Sequence, residues 1–466
     1  MTNETRNTEE YILNFHRIRK RGDKILLITE QGAWAALDKK TYDRILRHDI
    51  DSKTYKELEA RSIILTGQNS DSVVNSEFRR KHFLFYPPSL HIIIPTLRCN
   101  HQCIYCHSSA KISGKEFDMT PETAKKTIEF ILSSPQKKLT IEMQGGEGLL
   151  NLELVKQLHD YSKELARKQG KEVNFTMVTN AILLTEETID WAKANNVRLT
   201  TSLDGPEHIH NKNRIALDKK ETHNRVIEKI ELCRKKGIQI GALMVTTRNS
   251  LPYPEEIVDE YINRGFSMIQ IKYLNKLGFA EKEWSETGYT ADEYLTFWKR
   301  AMEHIIKRNK EGKKIFERIT QIMLKKVLRG FEPGFLDLRN PCGTAIGQIA
   351  YGHDGNIYSC DEGRGFDIFK LGNVHNTTFE EYIKSRKTQE LVTSTILENT
   401  LCDACVYKPY CGNCPVMNYA EQGNIIPKIA TSTRCRIMKG QLDWIFDKII
   451  EDKEARDVLS GWVSDG

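Results

Sequence analysis

Ten of the eleven cysteines in this 466-residue chain fall into two groups. Cys99, Cys103 and Cys106 form a CxxxCxxC triplet directly after the apolar run His91 to Pro95, while Cys342, Cys360, Cys402, Cys405, Cys411, Cys414 and Cys435 form the second group. Clustering of this kind in a reducing compartment favours metal ligation over disulfides. A cubic four-iron, four-sulfur cluster has four iron corners, so a loop that supplies three thiolates leaves one iron free to bind something else. The competing accounts of the triplet are a structural zinc site and a chance cluster, although zinc sites usually pair CxxC units into four ligands. Zinc would also suit the CxxC pairs of the second group, but the triplet puts that group in an iron–sulfur context. Cys233 stands alone in a helix-like stretch and reads as an ordinary part-buried thiol.

Other residues of chemical interest follow strand-like runs. Gln144-Gly145-Gly146-Glu147 comes after one run, Thr179-Asn180 after the next, and Ser202-Leu203-Asp204-Gly205-Pro206 with Asn213-Arg214 after the next again. Glycines let a backbone approach a ligand closely, a carboxylate is the natural partner of an ammonium, and an Arg fork matches a carboxylate. Asp204 either holds the Asp-Gly-Pro turn or acts in catalysis, with the turn favoured. His208 and His210 read as surface or turn residues.

The elements that must position these groups alternate strand and helix six times between Leu90 and about Lys310. Strands are expected over 91–95, 139–143, 173–178, 197–202, 239–245 and 268–273, with apolar residues at helical spacing between them. Thr120-Pro121 supplies a helix N-cap and first-turn proline, and Gly170, Gly237 and Gly265 sit where helices should stop. Six βα units imply an incomplete (β/α)6 TIM barrel, whose chemistry belongs at the C-terminal strand ends. Before it, residues 1–80 read as a separate unit, with strands over Lys24 to Thr29 and Ala33 to Leu37 and helices near Tyr42 to Arg47 and Tyr55 to Ala60. A polar linker, Gly67 to Asn75, and Pro87-Pro88 lead into a core over 88–310. Lys310 to Arg329 reads as one long helix, so 311–340 is taken as a linking segment, 341–440 as a cysteine-rich domain and 441–466 as a C-terminal helix; beyond Cys435 the pattern Ile437, Leu442, Ile445 and Ile449 reads as a closing amphipathic stripe.

Hydrophobic residues make up 39% and charged residues 28%, the balance of a soluble globular protein with about two to four domains. The start, MTNETRNTEE, has no signal-peptide core, and no apolar run is long enough to cross a bilayer, so a cytoplasmic location without membrane contact is expected. The net charge of +6 is spread without a basic block, which gives no reason to expect nucleic acid.

The triplet, with Tyr105 just before its third cysteine and Gln144 to Glu147 one strand later, resembles the signature of the radical SAM enzymes. That resemblance implies a 4Fe-4S cluster on Cys99, Cys103 and Cys106 whose open iron takes S-adenosylmethionine. It also implies contacts to that cofactor from Gln144, Gly145, Gly146, Glu147, Asn180, Ser202 and Arg214, with Ser202 at the ribose and Arg214 at the carboxylate. Gly148 stands where the family usually has proline. The second cysteine group is similar to the SPASM extension, which implies two auxiliary 4Fe-4S clusters: one on Cys402, Cys405, Cys411 and Cys435, the other on Cys342, Cys360 and Cys414. Asp361 matches the catalytic base of anaerobic sulfatase-maturating relatives. The N-terminal unit resembles a winged-helix peptide-recognition element, which binds a leader peptide as an added strand, or else it is a cap on the barrel. Among SPASM proteins the motifs Ser202 to Pro206, His210 to Arg214, Leu371 to His375, Pro409 to Gly412 and Asn418 to Gly423 look most like the His-Xaa-Ser system radical SAM maturases. The activity implied is crosslinking or oxidation of a ribosomally synthesised peptide, with flavodoxin or ferredoxin as electron donor. The alternative implied is formylglycine formation from Cys or Ser.

Overall fold

The computed structural model describes residues 10–463, so the first nine residues of the 1–80 unit and the last three of the closing segment lie outside the described residues. Six parallel strands form the centre: β1 (Leu90–Ile93), β2 (Lys138–Met143), β3 (Glu172–Val178), β4 (Val197–Ser202), β5 (Gly241–Val245) and β6 (Ile271–Lys272). They lie in chain order across the sheet. β3 shows why: in Glu-Val-Asn-Phe-Thr-Met-Val every second side chain is buried, so one face meets the core while helices cover the sheet. The helix Pro121–Ser133 starts as its sequence dictates, with Thr120 accepting from the Thr123 amide and Pro121 in the first turn. Its buried Ala124, Ile128, Ile131 and Leu132 pack on the sheet.

The sheet does not close. β6 is one edge, and on the far side of β1 the chain adds β7 (Gln348–Tyr351), parallel to β1, then the antiparallel strands β8 (Asn356–Tyr358) and β9 (Lys370–Asn373). The cysteine-rich region therefore shares a sheet with the first strand of the barrel, and that shared sheet carries Asp361 to its mouth. The expected strand over 268–273 is split, because Met268–Ile269 pairs instead with Phe316–Glu317.

That pairing also divides the long helix expected over 310–329. One helix, Ala291–Lys310, ends at the positive-φ Gly312, and a second, Arg318–Arg329, begins after the short strand. The polar stretch expected as a linker over 67–75 is instead the start of the helix Ser70–Lys81. None of its residues is buried, but Arg80 bonds to the carbonyls of Gln31 and Pro409.

At the N-terminus, His16–Arg21, Lys24–Thr29 and Trp34–Asp38 form an antiparallel sheet followed by the helices Lys39–Leu46 and Ser52–Ala60. Leu27 and Ala35 face the core of that unit, while Leu26 and Ile28 face the main core. Arg19 and Arg21 pair with Asp443 at 2.8 and 2.7 Å, and Trp34 Nε1 donates to the Val327 carbonyl. Asp443 lies on the helix Thr433–Glu451, which buries Ile437, Leu442, Ile445 and Ile449 and is followed by another helix, Lys453–Gly461. Cys233 is fully buried rather than part-buried. No helix among the described residues is long and apolar enough to cross a membrane.

Candidate active site and cysteine centres

The C-terminal ends of the strands surround a cavity of about 260 Å³. Cys99, Cys103 and Cys106 line it together with Gln144, Gly145, Gly146, Asn180, Ser202 and Arg214, and Asp361 enters from the cysteine-rich region. The triplet loop is held by main-chain bonds: Gln102 N to Ile215 O at 2.7 Å, Ile104 N to Asn213 O at 3.0 Å, and Glu147 N to Arg98 O at 2.7 Å. A Cβ on Gly146 would lie 2.1 Å from Arg98 O. This glycine thus lets two loops touch, so that the triplet is seated against the strand end after β2.

The carboxylate of Glu147, expected at the cofactor's ammonium, is turned into the interior. It is fully buried and absent from the cavity wall, accepting from Asn180 N at 2.7 Å, Thr179 Oγ1 at 2.8 Å and Leu149 N at 3.1 Å. Burial raises its pKa while these bonds oppose the rise. Its place is to fix the loop after β3 relative to the loop after β2. His210 is likewise fully buried rather than on the surface, with Nδ1 facing the Asp204 amide at 3.3 Å, whereas His208 is exposed.

Arg214 is anchored from behind. Asp204, fully buried, accepts from Arg214 Nε at 3.1 Å and from Tyr105 Oη at 2.7 Å. Burial alone would lower the pKa of Arg214, but Asp204, Tyr105 and Cys103 more than reverse this and keep it cationic. Its Nη1 reaches 3.9 Å from Cys103 Sγ. The cavity thus pairs a fixed guanidinium with three thiols. Burial pushes the Cys103 thiol up to about 12, so on its own it holds its proton, and a bound metal centre is what makes such a group a thiolate. Three thiols at the cavity wall, with a guanidinium beside one of them, fit a cluster that offers one iron to a ligand carrying a carboxylate.

Asp361 Oδ2 lies 3.0 Å from His107 Nε2, and Oδ1 accepts from Arg364 Nε and Nη2 at 2.9 and 2.6 Å. Against the penalty of burial, Arg364 and His107 hold its carboxyl far below the usual range. An anion held this firmly is a weak proton acceptor. Sequence reasoning missed His107, Arg364, Lys272 and Tyr273. Their signals were present: His107 follows the third cysteine, Arg364 is three residues after Asp361, and Lys272 ends the last barrel strand with Tyr273 directly after it.

The second cysteine group separates into two sets. Cys402, Cys405, Cys411 and Cys435 line one small cavity of about 60 Å³. Cys342 and Cys360 are buried, and after burial itself the charges that raise the Cys360 thiol are those of Glu362, Cys414 and Cys342, which places these three cysteines near one another. Among the described residues, no three His, Cys, Asp or Glu side chains converge on one point as a single metal ion needs. Cluster ligands instead sit on separate irons.

Residues 93–271 match the Radical SAM superfamily. The cysteine-type anaerobic sulfatase-maturating enzyme of Clostridium perfringens (strain 13 / Type A) is 26% identical over 375 residues, 78% of this chain and 98% of that enzyme. In fold, the chain is similar to native anSMEcpe with bound AdoMet and Cp18Cys peptide, with a TM-score of 0.66 at 20% identity over 80% of this chain and 99% of that one. It is also similar to Streptococcus suis SuiB bound to precursor peptide SuiA, with a TM-score of 0.52 at 12% identity over 90% of this chain and 98% of that one. The superfamily match spans the triplet and the strand ends around the cavity, so residues 93–271 are similar to radical SAM domains, and the protein is an enzyme that binds a 4Fe-4S cluster and S-adenosylmethionine.

Proposed function

We propose that the protein modifies a ribosomally synthesised precursor peptide, crosslinking or oxidising it, in the manner of the His-Xaa-Ser system radical SAM maturases. The observation that carries this reading is the N-terminal unit. The sulfatase-maturating relative is matched over 98% of its own length yet leaves part of this chain uncovered, whereas SuiB, a structure solved with a precursor peptide, extends over 90% of it. His16–Arg21 is an edge strand of the N-terminal sheet, with Phe15 and Ile18 exposed beside it, and an extended leader peptide can add there by main-chain hydrogen bonds. The same unit rests on the loop of Cys402 and Cys405, through Arg17 to the Asp403 side chain at 3.0 Å.

In this reading Cys99, Cys103 and Cys106 hold the cofactor cluster, Arg214 and Ser202 orient S-adenosylmethionine, and the two further cysteine sets hold auxiliary clusters. When bound, these cofactors supply a 5'-deoxyadenosyl radical that takes a hydrogen atom from an unactivated carbon, and an acceptor for the electron that an oxidised product gives up. Gly146, Glu147 and Asp204 fix the loops around that chemistry, and on the Asp361 side His107 lines the cavity while Arg364 bonds to Asp361. Flavodoxin or ferredoxin would deliver the first electron in the cytoplasm.

A second reading, formylglycine formation on a sulfatase, is favoured by the nearly complete match to the maturating enzyme and by Asp361 at the cavity. Anaerobic co-expression with each short reading frame adjacent to the gene, followed by mass spectrometry, separates the two. Loss of a pair of hydrogen atoms from the peptide, absent when Cys99, Cys103 and Cys106 are replaced by Ala, supports the first. Conversion of a sulfatase cysteine to an aldehyde, with no change in any adjacent peptide, overturns it in favour of the second.

A further inference from the structure

Arg434 stands at the boundary between the two sets of cysteines. It lines the cavity that contains Cys402, Cys405, Cys411 and Cys435, and also the separate cavity of about 130 Å³ that contains Cys414. Its donors all go to uncharged oxygens: Nη1 to Tyr273 Oη at 2.6 Å, Nη2 to the Asp337 carbonyl at 2.6 Å, and Nε to the Gly412 carbonyl at 3.4 Å. Gly412 belongs to the spacer between Cys411 and Cys414, one from each set, and Arg434 itself precedes Cys435. These bonds fix the direction of the guanidinium without bonding it to a carboxylate. A cation drawn into the interior needs an anion; the carboxyl of Asp337 is near, but burial, Glu362 and Asp361 push it towards its neutral form against the pull of Arg434 and Lys272, and it makes no ion pair with the guanidinium among the described residues. Clusters held by thiolates carry net negative charge and would meet this cation from both sides.

We propose that Arg434 is the shared counter-cation of the two auxiliary clusters and raises the reduction potential of both. The inference rests on reading the two sets as cluster ligands. A cation beside a cluster favours its more negative, reduced form, so removing the charge lowers the potential. Tyr273, which lines the S-adenosylmethionine cavity as well, holds the guanidinium in place from the active-site side.

The test is anaerobic reconstitution of the full chain with iron and sulfide, followed by potentiometric titration read by electron paramagnetic resonance, for the wild type, Arg434→Gln and Arg434→Lys. The auxiliary signals of Arg434→Gln should titrate at lower potential with iron content unchanged, and Arg434→Lys should restore most of the shift. Failure of Arg434→Gln to retain auxiliary iron while Arg434→Lys retains it also supports the proposal, because charge is then what the clusters need. Unshifted potentials in iron-replete Arg434→Gln overturn it, as does equal loss of iron from both variants, which would make the role one of shape. A separate control, replacement of Cys99, Cys103 and Cys106 by Ala, isolates the premise. If that variant holds no iron, the cluster reading fails and this inference with it; if it holds iron and Arg434→Gln does not shift, this inference alone fails.

Discussion

Asp204→Asn separates structural support from chemistry at the point where the two are hardest to distinguish. The Asp204 side chain has no exposure and that of Arg214 has 9%. Asp204 takes hydrogen bonds from Tyr105 and Arg214, and its Oδ1 lies 3.3 Å from the Val245 amide. Removing one partner of a buried pair leaves the other charge uncompensated, which costs roughly 3–5 kcal/mol. The amide keeps the shape and can still accept from Tyr105, so about 3 kcal/mol is expected, read as a lower midpoint in urea unfolding of the iron-free protein. Arg214, no longer fixed from behind, should also weaken S-adenosylmethionine binding by about tenfold or more, equivalent to ~1.4 kcal/mol. A double-mutant cycle with Arg214→Ala should show coupling of at least about 1 kcal/mol. Unchanged unfolding and cofactor affinity together with abolished turnover would refute this reasoning and make Asp204 a residue that works on the substrate.

Gly146→Ala should displace the triplet loop, since its Cβ would meet Arg98 O at 2.1 Å; overpacking of about 1–3 kcal/mol and lower iron uptake at the triplet are expected, measured by unfolding and iron content. Gly148→Pro should be tolerated or stabilise by about 0.4–1 kcal/mol, because a Cβ there meets nothing within 4 Å, the residue opens a helical turn, and Glu147 at φ −116 and ψ 105 already has the extended backbone that precedes proline. Burial holds His91 at about 4 against an ordinary 6.5, so the unfolded chain binds the extra proton first and stability is lost as pH falls from 6.5 towards 4. That loss is about 3 kcal/mol at its limit, and urea unfolding of His91→Leu should show a flatter pH dependence in this window. Asp361→Asn should loosen His107 and Arg364 and lower turnover while cofactor binding, measured by equilibrium dialysis, stays within about twofold, a change worth ~0.4 kcal/mol; loss of binding instead would place Asp361 among the residues that hold the cofactor.

The parts of this protein legible in its sequence are those whose signal is local. The strand alternation of β3, the Thr120-Pro121 cap and the spacing of the cysteines each act within a few residues, and each is where the sequence puts it. What escaped depends on a distant partner. His16–Arg21, read as His-Arg-Ile-Arg-Lys-Arg, looks too charged for a half-buried strand until Asp403 and Asp443 supply the other charges. β7 has four consecutive buried residues and hence no period to read, and only its pairing with β1 makes it a strand. The same division explains Glu147. A carboxylate after two glycines carries the chemistry of a ligand, but Thr179 and Asn180, more than thirty residues on, decide which way it points. Residue type and spacing therefore identify what a site can bind, while the loops packed around it decide which of its groups are free to do so. In this chain the three thiols and Arg214 face the cavity, the buried carboxylate of Asp204 fixes Arg214, and that of Glu147 ties together the loops after β2 and β3.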